Sequence, residues 1–359
     1  MYKYSHGGNA VFELGKADII DLSANINPLG MPEGVKEAII LSIPDCDHYP
    51  DNFSTELRKK IAAYEGIDPD WIFCGNGASD IIFRLPMAVQ AKKVLTAAPS
   101  FLDYERAAVS CGATLIRHIL LPDNGFTLDK TFIEAVQREK PELIFLCNPN
   151  NPTGLLTERW LIAELLECCQ RIRSRVVIDE CFLDFAEYAD TITSKVFLGS
   201  YKNLIILKSF TKLFALPGIR LGYALCADRE VTQNLHFYGA DWPVSNLSQV
   251  AGVAALVGAE TFIKKTTEYV TKERSVMQNK LRLLGYKVFD SKANYVFFQN
   301  PYPFDLREEL NRHGFRIRSC ENFPSLDNSY YRIAVSKAEN NISLLSAVEV
   351  ITEKGVGTE

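Results

Sequence analysis

Between residues 51 and 226 the chain alternates short apolar runs with longer amphipathic ones. Residues 94–97, 143–147, 176–178 and 204–207 are apolar at successive positions and rich in β-branched side chains, as strands buried on both faces are. Helical periodicity fills the intervals. Thr157, for example, reads as a cap ahead of a stripe through Leu161, Leu165 and Leu166. Strands alternating with helices predict a doubly wound, mainly parallel sheet sandwiched by helices. Beyond residue 245 the grammar changes. Helices are expected over 246–256 and 260–284, strands over 286–289 and 293–298, and a helix over 304–312. Strands over 315–319 and 330–335 and an amphipathic stretch near 342–352 complete a smaller α+β unit. The expected α/β chain has three parts: an arm over 1–35 that packs with the small domain, a large domain over 36–245 and a small domain over 246–359.

Composition narrows the function classes. With 39 Lys+Arg against 44 Asp+Glu in 359 residues, the net charge of −5 gives no general attraction to nucleic acid or anionic membrane. No apolar run approaches the roughly 20 residues of a spanning helix, and the polar N-terminus lacks a signal-peptide stretch. The nine cysteines are odd in number and show no CxxC spacing, so they read as small hydrophobes in a reducing compartment rather than a disulfide or metal framework. A cytoplasmic protein without metal is expected.

Chemistry concentrates in Ser209-Phe210-Thr211-Lys212 and the following Pro217-Gly218-Ile219-Arg220-Leu221-Gly222. An amine follows an apolar strand, flanked by two hydroxyls, with a guanidinium downstream: a Schiff-base amine beside donors for a phosphate. A lone lysine is usually a solvated surface residue; the spacing here is what argues otherwise. Asp179 ends the apolar run 176–178, placing a carboxylate at the carboxyl edge of the sheet, although it also reads as a cap. Asn148-Pro149-Asn150-Asn151-Pro152-Thr153-Gly154 follows another strand and by composition is also a plain turn. Gly75-Asn76-Gly77-Ala78-Ser79-Asp80 precedes a helical stretch whose N-terminus makes an anion site, a weak signal by itself.

Together these segments resemble fold-type I pyridoxal-phosphate enzymes of the aminotransferase superfamily. The resemblance implies that Lys212 carries the cofactor, with Lys208, outside the motif, as the neighbouring competitor. It implies that Asp179 pairs with the protonated pyridine nitrogen and that Asn151 donates to the phenolic oxygen. Ala78 and Ser79 are assigned to the cofactor phosphate, with Ser209, Thr211 and Arg220 completing the cofactor contacts. Phe101 would stack on the ring, and is otherwise a core phenylalanine. Tyr49 matches the tyrosine that reaches the neighbouring subunit's phosphate, which implies a homodimer with composite sites.

Over nearly the whole chain the resemblance is to threonine-phosphate decarboxylases of cobalamin biosynthesis, and more loosely to histidinol-phosphate aminotransferases. It rests on His6-Gly7-Gly8-Asn9, on residues 21–30, and on Ile317-Arg318-Ser319-Cys320 leading to Tyr330-Tyr331-Arg332-Ile333. Aminotransferase relatives usually carry Glu where this chain has Ile26, Tyr where it has Phe182, and lack the His-Gly-Gly-Asn start. The resemblance places His6, Gly7, Asn25, Asn151, Arg318 and Arg332 around L-threonine O-3-phosphate, beneath the N-terminal arm. The alternative is a histidinol-phosphate aminotransferase using 2-oxoglutarate. A third reading, a non-catalytic regulator, calls for an added DNA-binding module, for which the arm is too short.

Overall fold

The structure, a computed structural model, describes Gly8 and residues 19–356. After β1 (Ile20–Asp21) come the strands of the large sheet: β2 (Ile72–Gly75), β3 (Lys93–Ala98), β4 (Thr114–Ile119), β5 (Leu143–Cys147), β6 (Arg175–Asp179), β7 (Leu204–Ser209) and β8 (Gly222–Leu225). Their order is β2-β8-β7-β6-β5-β3-β4, and every pairing is parallel except the two made by β8. The apolar runs are continuous because both faces of the sheet are covered. Along β5, Ile144 and Leu146 join one core cluster while Leu143, Phe145 and Cys147 join the other. The family-fold expectation of a mainly parallel α/β sheet is met, and the four expected strands are all present.

The second region holds β9 (Lys287–Val288), β10 (Tyr295–Gln299), β11 (Phe315–Arg316), β12 (Arg318–Ser319) and β13 (Tyr330–Ala334). Four of them form an antiparallel sheet in the order β12-β13-β10-β9. The single strand expected over 315–319 is split. Its first half pairs in parallel with β1, and its second half pairs with β13, so Ile317 marks the change of sheet. The helix Asn246–Ala255 packs on the helices Val35–Ser42 and Thr55–Glu65, whereas Ala259–Leu283 packs on β9, β10 and the last helix, Ala338–Val356. Thr157 is not the cap expected of it. The helix begins at Arg159, and the Thr157 backbone N–H donates to Asn148 Oδ1 at 2.8 Å, serving the turn instead. No single described helix is long and apolar enough to cross a membrane.

Buried Arg274, on the helix Ala259–Leu283, joins the loop after β6 to the approach to β10. It donates to Phe185 O at 3.4 Å, Lys292 O at 3.1 Å and Ala293 O at 2.9 Å. A tighter contact lies at Gly222, where a Cβ would sit 2.4 Å from Ala78 N and 2.8 Å from the Gly77 carbonyl carbon. β8 can therefore pass the start of the helix Gly77–Ala88 only without a side chain. Gly222→Ala should lower stability by about 1–3 kcal/mol through overpacking, read as the shift in denaturant midpoint at constant slope. A midpoint equal to the parent's would show that this crossing relaxes freely.

Candidate active site

The carboxyl ends of β5, β6 and β7, the start of the helix Gly77–Ala88, and β12 and β13 enclose a cavity of about 320 Å³. Lys212 lies on the single turn Phe210–Leu213 that follows β7, and Ser209 opens this turn by accepting from Thr211 N at 3.1 Å. Among the described residues no carboxylate pairs with the Lys212 amine. Burial, and then the Arg332 guanidinium, lower its pKa from 10.5 to about 8; Cys181 opposes them, and Arg220 adds the smallest effect. Lys208 is not a competitor for the cavity. Its side chain is buried among carboxylates and does not line the cleft.

Asp179 ends β6 and lines the cavity. Its carboxylate accepts from Tyr104 Oη at 2.6 Å and from Cys181 N at 2.9 Å. No sequence motif singles out Tyr104, although it lies three residues after Phe101 and packs edge-to-face on it at 5.6 Å. Phe101 itself precedes the helix Leu102–Ser110, half-buried in the cavity wall.

The start of the helix Gly77–Ala88 is crowded at its backbone. Gly77 has φ +79°, and a Cβ there would lie 2.7 Å from Arg220 Nη2. The arginine thus reaches across the helix start while Ala78 and Ser79 line the cleft. The Ser79 hydroxyl donates to Asp103 at 3.1 Å, and Asp103, also on the cavity wall, accepts from Arg106 at 2.8 Å. The sequence pattern alone gives Asp103 no role.

On the opposite wall, Arg318 and Arg332 face each other across β12 and β13. Arg332 is buried. It donates to Asn151 Oδ1 and, at 3.1 Å, to Ser23 O, and its guanidinium lies 5.2 Å from the centre of the Tyr295 ring. Since Asn151 spends its oxygen on Arg332, its amide N–H groups are what it can offer the cavity. Arg318 donates to Asn322 at 2.6 Å and lies over Phe323. Burial, followed by repulsion from Arg332, pulls its pKa down to about 10. Asn25 is buried on the same wall, and its Oδ1 has no partner; Arg332 Nε is likewise unpartnered.

Two expected features stand apart. Tyr49 is 79% exposed, stacks on Trp242 at 4.3 Å, and does not line this chain's cavity. His6 and Gly7 lie outside the described residues. Asn27 carries no signal of its own in the sequence, yet it ties the lysine turn in place. Its backbone N–H donates to Lys212 O at 3.1 Å, and its side chain donates to Leu213 O at 2.7 Å and Thr266 Oγ1 at 2.9 Å.

The donor set fits pyridoxal phosphate. A low-pKa amine, a fixed carboxylate, an anion cup at a helix start, and the buried unpartnered atoms Asn25 Oδ1 and Arg332 Nε converge on one cavity.

Comparison with known proteins gives the same picture. Residues 17–348 match the family model for aminotransferase class I and II. The chain is 32% identical over 355 residues to a threonine-phosphate decarboxylase of Salmonella typhimurium, covering 97% of this chain and 96% of that one. It is also 32% identical over 335 residues to a histidinol-phosphate aminotransferase of Caldanaerobacter subterraneus, covering 92% of each. The crystal structure of the histidinol-phosphate aminotransferase from Clostridium acetobutylicum superposes with a TM-score of 0.86 at 28% identity, over 94% of this chain and 100% of that one.

The Lys212 amine gives a pH prediction. Its neutral, nucleophilic fraction grows as pH rises through about 8. Uptake of pyridoxal phosphate by cofactor-free protein, followed by visible absorption, should accelerate with pH and level off above that value. A rate that keeps rising to about pH 10 would place the amine in the ordinary lysine range.

Proposed function

Because the chain belongs to the class I and II aminotransferase family, we propose that it decarboxylates L-threonine O-3-phosphate to 1-aminopropan-2-ol O-phosphate, a step of cobalamin biosynthesis. The family is a pyridoxal-phosphate enzyme class, and pyridoxal 5′-phosphate is the cofactor. The observation that points to a doubly anionic substrate is the opposition of Arg318 and Arg332 across β12 and β13. Like charges directly opposite on paired strands repel. A substrate with two anionic groups, such as a carboxylate and a phosphate, reconciles them. Phe182 carries the finer reading, because it places an apolar ring on the cavity wall where the aminotransferase relatives carry a hydroxyl.

When bound, the cofactor supplies an electron sink for whichever Cα bond stands perpendicular to its ring. The protein's part is to choose that bond. Arg318 and Arg332 would divide the carboxylate and phosphate between them, and with Asn25 and the arm residues His6 and Gly7 they would fix the orientation of the carboxylate. Asp179, its carboxylate oriented by Tyr104 and Cys181 N, would keep the pyridine nitrogen protonated. Asn151 would donate to the phenolic oxygen. Ala78, Ser79, Ser209, Thr211 and Arg220 would hold the phosphate, and Phe101 would cover the ring. Lys212 Nζ, having taken a proton from the incoming substrate's ammonium, would deliver it to Cα in place of the departed CO2. The enzyme acts as a cytoplasmic homodimer in this reading. Tyr49, exposed and outside the lining of its own cavity, would reach the cofactor phosphate of the second copy.

Given L-threonine O-3-phosphate and no oxo acid, the enzyme should release CO2 continuously. Unphosphorylated threonine should be turned over at least about a hundredfold less efficiently, because the guanidinium that would take the phosphate loses that anion. Turnover of histidinol phosphate with 2-oxoglutarate, and no CO2 from phosphothreonine, would transfer the assignment to the aminotransferase. The composite site has its own test. Mixing Tyr49→Ala with Lys212→Ala subunits should regenerate activity in heterodimers, and a mixture as inactive as its components after subunit exchange would refute the arrangement.

A further inference from the structure

Behind the edge that carries the cofactor residues lies a buried charge cluster that the proposed mechanism does not use. Successive residues of a strand point to opposite faces of the sheet. Asp179 and Ser209 line the cleft, whereas their neighbours Glu180 and Lys208 do not. The Lys208 side chain is 8% exposed, with its ammonium 3.4 Å from Asp184 Oδ1 and 3.6 Å from Glu180 Oε2. Fully buried Glu180 accepts from Thr193 Oγ1 at 2.7 Å and Ser194 N at 2.6 Å. Tyr223, paired with Lys208 across β7 and β8, donates to Glu65 at 2.6 Å, and Lys195 meets the other oxygen of Glu65 at 2.9 Å. Desolvation pulls the Lys208 ammonium down, yet Asp184, Glu180 and Glu65 hold its pKa well above the usual lysine range, so it stays charged. Burying such a group is unfavourable unless a specific geometry is gained by it.

That geometry lies at the end of the sheet. The register of β6 with β7 stops at Asp179 opposite Leu207, and Glu180 N to Leu207 O, at 2.9 Å, is the next backbone link. The Glu180–Lys208 contact continues the tie just where one strand has delivered Asp179 and the other is about to deliver Lys212. We propose that Lys208 is a positioning residue for the cofactor, clamping the carboxyl ends of β6 and β7 from the far face of the sheet so that Asp179 and Lys212 keep a fixed relation. The proposal rests on the assignment of Asp179 and Lys212 to the cofactor made above.

The test compares Lys208→Met and Lys208→Arg holoenzymes, with Lys212→Ala as control. The readouts are the visible circular dichroism per bound pyridoxal phosphate and the rate of cofactor loss on dialysis. Lys208→Met should keep the parent's far-ultraviolet spectrum, lose roughly half or more of the visible dichroic band, and release cofactor about tenfold faster, as expected when a buried pair is broken. Lys208→Arg should restore both signals to within about twofold, since a guanidinium keeps the charge and its donors. If Lys208→Met does not fold, Glu65→Gln is read in its place, and its band should weaken in the same direction. An unchanged band and release rate in whichever of these is read, or a Lys208→Arg as impaired as Lys208→Met, overturns the proposal. A visible band that persists in Lys212→Ala overturns the cofactor assignment itself; its loss there, beside an unchanged Lys208→Met, removes only the clamp.

Discussion

Parallel pairing of β5, β6 and β7 brings three carboxyl ends to one edge, and the placement of the site depends on that alignment. In a sheet buried on both faces, an edge is the one place where polar side chains gain solvent or ligand without breaking the apolar layers. Asp179 leaves the edge from β6, the Lys212 turn from β7, and the Asn148–Gly154 turn follows β5. The antiparallel β8 then returns past the start of the helix Gly77–Ala88, which is why that helix start and the amine come to share one cavity.

Much of this arrangement is legible in the amino-acid sequence. Residues 143–147 and 204–207 are apolar at every position, and only a doubly covered strand needs that, so the large sheet announces itself. Lys212, Asp179 and Arg220 are legible because each sits at a fixed distance from such a strand. Other features depend on tertiary partners that spacing does not encode. Residues 315–319 have one continuous strand pattern, and nothing in it reveals that β1 claims the first half and β13 the second. Thr157 has the chemistry of a cap, but Asn148, nine residues earlier, claims its N–H. Tyr104 and Asn27 escape sequence reasoning for the same reason: their partners, Asp179 and the Lys212–Leu213 carbonyls, lie 75 and 186 residues away for the side-chain bonds.

Among the described residues, the site also shows how a buried guanidinium is oriented by neutral groups. The partners of Arg332 are a side-chain amide oxygen, a backbone carbonyl and the face of Tyr295, all neutral. Such partners orient a guanidinium without cancelling its charge, so its field remains available to an incoming anion. The same field acts on Lys212, where it adds to the larger effect of burial in lowering the amine's pKa. An anion drawn to Arg332 would therefore also be felt by the amine.

Asn27 has a consequence of a different kind. Through its backbone and side chain, a single buried residue is bonded to the turn that carries Lys212 and to Thr266 on the helix Ala259–Leu283. Neither element can swing away while the other keeps these bonds, so the lysine turn and that part of the helix belong to one cooperative opening unit. Their amides should exchange with deuterated solvent as a group, at the pace of the shared opening and not of each element's own fraying.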